Sequence, residues 1–191
     1  MVADPAALHL RLAGAGAILG FRGRMDDRRL DRHGELAGRD EVLRVRRYHA
    51  PDGPPRSVIT WKGPVSRSPE GHKLRQEVDL AVEPGGDPLR VLEALGYQVT
   101  QAIDRYVEYH DLHGATVRLE WYPRMDVLVE VEGTTGAIEA AIASLGMPRG
   151  DFLPDALAEF AARYAARTGQ PPVLDLAGLE GESPSWPEAP R

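Results

Sequence analysis

The sequence predicts an α+β protein in which an antiparallel β-sheet, open or closed into a barrel, carries helices on one side. Three observations support this prediction. Apolar and polar residues alternate through much of the chain between residues 17 and 132, as they do in half-buried strands. Clusters of glycine, proline and aspartate separate these stretches, which favours hairpins between neighbours. Three further stretches have the apolar period of amphipathic helices.

The alternating stretches predict the strands. Residues two apart in a strand point to the same side of the sheet, and nearly every stretch has charged residues on one side. AILGFRGRM (17–25) is the weakest candidate. The six others are LRVRRY (43–48), SVITWK (57–62), LRQEVDLAV (74–82), YQVTQAIDRYVEY (97–109), ATVRLEWY (115–122) and DVLVEVE (126–132).

Three stretches predict helices whose apolar stripes contact the core. DPLRVLEALG (87–96) follows a possible N-cap, Asp87, and places Leu89, Leu92 and Leu95 at a spacing of three. TTGAIEAAIASLG (134–146) ends in Gly146, a residue type common just after a helix. The third stretch is LPDALAEFAARYAAR (153–167).

The chain of 191 residues is long enough for one domain, which we place at residues 1–169. Residues 170–191 contain five prolines and no sustained apolar period, so the sequence predicts a disordered tail there. The absence of cysteine excludes disulfides, a thiol nucleophile and thiolate metal sites. We expect a cytoplasmic protein, because neither a secretory signal nor a membrane span is visible.

The charge balance argues against some partners. Of the 23 basic residues 21 are arginine, yet the formal net charge is −6. Because nucleic acids and anionic membranes attract proteins with a basic surplus, neither is an expected partner. The arginine excess has two interpretations, which are codon bias in a GC-rich genome and recognition of oxyanions by guanidinium groups.

The charged sides of the strands also have two interpretations. The first is an ordinary sheet with one solvated face. The second is a barrel with a charged lumen, whose apolar side faces outward beneath the helices. A lumen that mixes arginines with carboxylates suits a polyphosphate held together with Mg²⁺ or Mn²⁺, because hard cations prefer oxygen ligands and guanidinium binds the remaining phosphate oxygens.

Six motifs, in order, resemble the CYTH superfamily of triphosphate tunnel metalloenzymes, which includes class IV adenylate cyclases, thiamine triphosphatases and tripolyphosphatases. The motifs are LRVR (43–46), TWKGP (60–64), RQEVD (75–79), DRY (104–106), VRLEW (117–121) and LVEVE (128–132). The resemblance covers about residues 27–165. It implies a closed antiparallel barrel of about eight strands, with helices packed outside and a tunnel that binds a triphosphate and a divalent cation.

The resemblance also implies site residues. Those that match the family's phosphate ligands are Arg44, Arg46, Lys62, Arg75 and Arg105, with Arg11 at the cationic end of the first strand motif. Those that match metal-associated positions are Glu77, Glu120, Glu130 and Glu132, with Glu130 and Glu132 also the implied catalytic pair and Mg²⁺ or Mn²⁺ the implied ion. The segment Asp27–Asp31 resembles a further family strand but lacks its aromatic residue.

The N-terminus departs from the family pattern. The ExExK strand of the family aligns best with ALHLR (7–11), where Ala7 and His9 replace the two glutamates and Arg11 replaces the lysine. Since those glutamates help hold the metal and position the attacking water, their loss affects catalysis more than binding. His9 is either a metal ligand in place of a carboxylate or an ordinary packed or surface residue.

The resemblance implies hydrolysis of an inorganic or organic triphosphate with a divalent metal. Hydrolysis is preferred to adenylate cyclase-type cyclisation because no base-recognition pocket is identified in the sequence. Two alternatives to an enzyme remain, a degenerate relative that binds polyphosphate or nucleotide without turnover, and a plain sheet protein with a solvated charged face.

Overall fold

The structure is a computed structural model that describes residues 1–69 and 73–187. The helices are α1 (Pro5–Gly14), α2 (Pro88–Ala94), α3 (Thr135–Ser144) and α4 (Leu157–Thr168). The strands are β1 (Ile18–Asp31), β2 (Val42–His49), β3 (Arg56–Lys62), β4 (Ser66–Arg67), β5 (Lys73–Leu74), β6 (Glu77–Val82), β7 (Gln98–Leu112), β8 (Ala115–Trp121) and β9 (Leu128–Glu132). No helix in these two ranges is long and apolar enough to cross a membrane.

The strands form an antiparallel sheet, which confirms the predicted α+β class. Seven strands are hydrogen-bonded in the order β6-β3-β2-β1-β7-β8-β9, and β4 and β5 form a separate two-stranded sheet. The β1–β2, β2–β3, β3–β6, β7–β8 and β8–β9 pairs are antiparallel. A two-residue turn joins β7 to β8, and both of its residues, His113 and Gly114, have positive φ. Hairpin turns of this kind match the twist of the strands they join.

The sequence located most strands within a few residues. The weakest candidate, residues 17–25, begins the 14-residue strand β1, which also contains the Asp27–Asp31 segment. The stretch 74–82 is divided into β5 and β6, because β5 pairs with β4 whereas β6 pairs with β3.

The chain divides into two compact units. Unit 1 consists of Met1–Gly23 and Arg105–Arg191, and unit 2 consists of Arg24–Asp104. In unit 1, Leu8 and Leu12 of α1 and Leu145 of α3 belong to one core cluster with the apolar side of β8. That side consists of Ala115, Val117, Leu119 and Trp121, all at most 5% exposed. The predicted division of β8 into an apolar and a charged side is therefore confirmed.

Unit 2 has a smaller core. Met25, Leu30, Val45 and Ile103 are its most buried apolar residues, each at most 2% exposed. The predicted core contact of Leu95 is wrong, because this side chain is 59% exposed. Leu95 is the C-cap of α2, which ends at Ala94.

The predicted strand over residues 7–11 is wrong, because this segment lies within helix α1. Asp4 caps the helix by accepting a hydrogen bond from the amide of Ala7, and Pro5 occupies the first turn, where proline costs nothing. Leu8 and Leu12, four residues apart, form the buried side of the helix. Helical rather than extended spacing therefore sets where His9 and Arg11 point.

The prediction of a disordered tail is wrong for residues 170–187. Val173 pairs with Arg124 through two backbone hydrogen bonds, and the amide of Ser185 donates to the carbonyl of Pro123. Leu179 is buried, and Trp186 packs against the core of unit 1. A few well-placed apolar residues and backbone hydrogen bonds are enough to order a proline-rich segment. Residues 188–191 of the predicted tail lie outside the described residues.

Candidate functional site

One side of the sheet in unit 2 carries a group of cations. Arg44 and Arg46 of β2 are two residues apart and point the same way. The register places Lys62 of β3 opposite Val42 of β2, so that Lys62 also belongs to this side. We call Arg44, Arg46 and Lys62 the cationic face.

Two arginines of the cationic face lie against a single carboxylate. Arg46 donates its Nε–H to Oδ2 of Asp27 at 2.9 Å, and Nη1 of Arg44 lies 3.9 Å from the same oxygen. Arg44 and Arg46 are each 8% exposed and Asp27 is 2% exposed. The sequence motif implied the arginines as ligands, but it did not single out Asp27 as their shared partner.

Lys62 shows how strongly the cations affect one another. Its ammonium group is ion-paired with Glu77 of β6. Burial lowers the pKa of Lys62, the charges of Arg44 and Arg46 lower it further, and Glu77 offsets only part of this effect. The pKa of Lys62 is therefore lowered on balance, with burial as the largest cause.

Arg75 lies in a different environment from these cations. It is in the connection between β5 and β6, where its Nη2 is 2.5 Å from Oδ1 of Asp40. The other oxygen of Asp40 accepts a hydrogen bond from the amide of Val65. Arg75 thus helps to fix a loop.

The charged side of unit 1 is dominated by carboxylates. Arg118 of β8 pairs in register with Glu130 of β9, and Glu120 and Glu132 lie two residues further along their strands on the same side. We call Glu120, Glu130 and Glu132 the acidic face. Its three members all lie within ion-pair distance of the Arg118 guanidinium.

Glu120 is the most enclosed residue of the acidic face. Its Oε1 lies 2.6 Å from Nη1 of Arg105 and 2.8 Å from Nε of Arg118. Its Oε2 accepts a hydrogen bond from the hydroxyl of Tyr122 at 2.5 Å. Burial raises the pKa of that hydroxyl, and the charge of Glu120 raises it further. Both oxygens of Glu120 are therefore engaged within the protein.

Glu130 and Glu132 are more accessible to water. Their side chains are 47% and 48% exposed, although both contact Arg118. Desolvation by surrounding protein atoms raises the pKa of Glu130, Arg118 lowers it, and the charges of Glu132 and Glu120 raise it again. The net direction is upward, with desolvation as the largest cause.

Arg11 does not belong to either face. From α1 it donates from Nη1 to the carbonyls of Leu145 and Gly146, both at 2.9 Å, at the end of α3. A cation at this position satisfies carbonyls left free by the helix terminus and complements its dipole. The implied role of Arg11 as a phosphate ligand has no counterpart in these contacts.

Sequence reasoning assigned no site role to two residues that contact the acidic face. Arg118 touches all three carboxylates, and Tyr122 completes the contacts of Glu120. Their signal was present in VRLEWY (117–122), where alternation places Arg118, Glu120 and Tyr122 on one side.

Comparison with known proteins identifies the fold. No protein-family model and no curated protein matches this sequence. The PH1012 protein from Pyrococcus horikoshii OT3 has a TM-score of 0.62 and 17% identity, covering 82% of this chain and 93% of that one. A protein from Vibrio parahaemolyticus, provisionally assigned as an adenylate cyclase, has a TM-score of 0.66 and 14% identity over 84% and 93% of the two chains.

A plant protein with a described activity has the same fold. HpAC1 from Hippeastrum, provisionally an adenylyl cyclase, has a dominant triphosphatase activity. Its TM-score is 0.55 and its identity is 18%, covering 87% of this chain and 92% of that one. At these identities the likeness extends to the fold, so the chemistry of the present chain has to be argued from its own residues.

Proposed function

We propose that this protein binds a triphosphate-containing small molecule in the manner of CYTH proteins and hydrolyses it with a divalent cation. The proposal includes the closed, eight-stranded tunnel of that family and action in the cytoplasm on a soluble substrate. The observation that carries it is the cationic face of unit 2, where burial and mutual repulsion lower the pKa of Lys62.

A polyphosphate suits the positive charge of the three side chains of the cationic face. Arg44 and Arg46 lie next to each other against Asp27, which gives a phosphate chain two neighbouring guanidinium groups to contact. Guanidinium groups bind phosphate oxygens through two parallel hydrogen bonds, and an ammonium group acts as a point charge beside them. An extended chain of phosphates matches a row of cations better than a single small anion does.

The acidic face of unit 1 fits a hard divalent cation in part. Glu130 and Glu132 offer carboxylates that are 47% and 48% exposed. Oxygen donors of this kind suit Mg²⁺ and Mn²⁺. Glu120 fits less well as a direct ligand because Arg105, Arg118 and Tyr122 already engage its oxygens. When bound, the cation supplies charge neutralisation for the phosphoryl oxygens.

The other implied residues take secondary roles in this proposal. Arg105 and Arg118 hold Glu120 and balance the charge of the acidic face. Glu77 pairs with Lys62, which favours a role in setting the charge of that lysine over a role as metal ligand. Arg75 contributes through the loop that it ties to Asp40.

One observation favours a second candidate function, which is binding without turnover. Helix α1 occupies the residues that align with the ExExK strand, and neither Ala7 nor His9 supplies a carboxylate. A chain that lacks those glutamates retains the charge needed to bind a triphosphate but loses groups that position the attacking water. Both candidates predict triphosphate binding and differ only in the products.

The experiment measures binding and products together. The purified chain is titrated with tripolyphosphate, thiamine triphosphate and ATP, with and without Mg²⁺ or Mn²⁺, while the melting temperature and released products are followed. Orthophosphate release supports hydrolysis, and pyrophosphate with a cyclic nucleotide indicates cyclisation instead. A raised melting temperature without product supports binding alone. No shift with any of the three compounds contradicts the proposal.

A matched pair of variants tests the cationic face itself. Lys62→Met removes a charge from it, whereas Arg47→Met removes a charge from the opposite side of β2. We expect Lys62→Met to weaken tripolyphosphate binding at least about tenfold, as one lost charge-assisted contact would. Arg47→Met should leave binding nearly unchanged. Equal losses in the two variants would indicate a diffuse electrostatic effect rather than a site.

A further inference from the structure

Three side chains of ligand type meet on the helix-covered side of unit 1. Glu108 and His110 are two residues apart on β7 and point to the same side. Their register partners on β8 are Leu119 and Val117, which are buried core residues. His9 joins them from α1. Because Tyr109 is the register partner of Arg118, this group lies on the side of β7 and β8 opposite the acidic face.

The donor atoms of the three side chains converge. Nε2 of His9 lies 2.6 Å and Nε2 of His110 lies 3.4 Å from the same oxygen of Glu108, Oε2. All three donor atoms lie within 4.8 Å of one another. The two imidazole nitrogens are thus already gathered around one carboxylate oxygen, as the ligands of a single ion would be.

The surroundings of the three side chains are those expected of a metal-binding site. The side chains of Glu108 and His110 are 12% and 10% exposed, so they sit in a largely dehydrated environment. His9 is 42% exposed and provides a route of entry for an ion. Its ring lies nearly parallel to that of the buried Trp121, with centroids 6.2 Å apart and a 22° angle between the planes. The packed indole limits the orientations available to the imidazole.

We propose that His9, Glu108 and His110 bind a transition-metal dication, with Zn²⁺ as the best fit. Two imidazoles and one carboxylate form a donor set that suits zinc, whereas Mg²⁺ prefers an all-oxygen environment. Tetrahedral zinc at its usual bond lengths separates its ligand atoms by about 3.4 Å. The separations in this group, from 2.6 Å to at most 4.8 Å, bracket that value, so small side-chain rotations complete the site once the proton of each coordinating Nε2 has moved to Nδ1 and left a neutral imidazole to bind the ion.

This site would have a structural effect that is separate from triphosphate chemistry. The ion would link α1 to β7 through His9 and Glu108, which are 99 residues apart in sequence. Helix α1 is the segment that takes the place of the expected ExExK strand. Because the three donors come together only in the folded chain, Zn²⁺ binding would stabilise the fold by linkage.

The test uses the full chain after removal of metals with EDTA. Calorimetric titration with Zn²⁺ should show one tight equivalent, and excess Mg²⁺ should not displace it. The melting temperature should rise with bound Zn²⁺. Substitution by Co²⁺ should give the visible absorption bands of a low-symmetry, nitrogen- and oxygen-bound ion. The absence of stoichiometric Zn²⁺ binding would overturn the proposal, whatever the outcome of the triphosphate assays.

Three variants locate the site. Two variants remove a ligand: His9→Ala changes an accessible helix position, and Glu108→Gln preserves the shape of the side chain. Each should weaken Zn²⁺ binding more than about tenfold, since even the outer partners of metal ligands contribute that much. His49→Ala is the matched control, because His49 pairs with Asp26 at 2.7 Å in unit 2. Retention of Zn²⁺ by His9→Ala, or an equal loss in His49→Ala, would contradict the assignment. Circular dichroism of the metal-free variants verifies that each is folded.

Discussion

The cationic face of unit 2 and the acidic face of unit 1 arise from the same strand alternation but differ in which charge is gathered around a central group. In unit 2 the guanidinium groups of Arg44 and Arg46 approach the carboxylate of Asp27. In unit 1 three carboxylates approach the guanidinium of Arg118, and Arg105 also pairs with Glu120. The first arrangement presents neighbouring guanidinium groups to an anion and the second presents neighbouring carboxylates to a cation, so we expect the two faces to bind different ligands.

Individual charged contacts within the two faces differ in how deeply they are enclosed. Arg118 and Glu120 are 5% and 3% exposed and are held on several sides, whereas Lys62 is paired with a glutamate that is 42% exposed. Buried charges that lose a partner are costly, while exposed pairs contribute little. Loss of Arg118 should therefore cost more stability than loss of Lys62.

The largest effect is expected from Arg118→Met. It removes the guanidinium that neutralises the acidic face and leaves buried Glu120 with Arg105 as its cationic partner. We expect the free energy of unfolding to fall by about 3 kcal/mol or more, measured by urea denaturation. The control is Arg163→Met, which breaks a surface ion pair with Asp155 and should cost less than about 1 kcal/mol. Similar losses in the two variants would refute the contrast in burial.

An intermediate effect is expected from Asp27→Asn. This variant replaces the buried carboxylate shared by Arg44 and Arg46 and should cost about 2 kcal/mol of stability, as the loss of a hydrogen bond to a charged group does. Tripolyphosphate binding should become tighter, because the cationic face gains net positive charge.

The neighbouring residue provides the control for Asp27→Asn. Asp26 points to the other side of β1 and pairs with His49. Asp26→Asn should change tripolyphosphate affinity little. Weaker binding by a folded Asp27→Asn protein, in a calorimetric titration, would contradict a purely electrostatic role for Asp27.

The smallest effect is a pair of opposite pH dependences. The pKa of Lys62 is lowered in the folded state from 10.5, so the charged lysine destabilises the fold at low pH, and this cost disappears as the pH rises to 10.5. The pKa of Glu130 is raised from 4.5, so its cost is absent at acid pH and develops as the pH rises above 4.5. The free energy of unfolding of Lys62→Met should therefore exceed that of wild type at low pH and lose this excess at high pH. That of Glu130→Gln should rise relative to wild type as the pH increases above 4.5.

Chemical denaturation across a pH series measures both dependences. Each variant is compared with wild type at every pH, so that titrations of other groups cancel. Slopes of the same sign for Lys62→Met and Glu130→Gln would contradict the opposite pKa shifts of Lys62 and Glu130.

Strand alternation in the sequence predicted much of the fold and both faces. It placed Arg44 and Arg46 on one side of β2, and Glu130 and Glu132 on one side of β9, because the two-residue period fixes side-chain direction wherever a strand forms. It did not identify Asp27 as the partner of Arg46, since that contact depends on the register between β1 and β2.

The errors came from places where tertiary or local signals opposed the motif. At residues 5–14 the cap Asp4, Pro5 and the spacing of Leu8 and Leu12 indicate a helix, but alignment with the family motif required a strand. The group around Glu108 was not predictable either, because His9 lies 99 residues away in sequence. Contacts between residues so distant in sequence can be identified only once the packing of α1 against the sheet is known.

The division of the chain into units has a consequence for biosynthesis. Unit 2 is one continuous segment, Arg24–Asp104, whereas unit 1 needs both Met1–Gly23 and the residues from Arg105 onward. Domains that are continuous in sequence can fold as they leave the ribosome. Unit 2 can therefore form early in translation. Leu8 and Leu12 of α1 can pack into their core only after β8 and α3 have been synthesised. During that interval the apolar side of α1 lacks its core partners from β8 and from the end of α3.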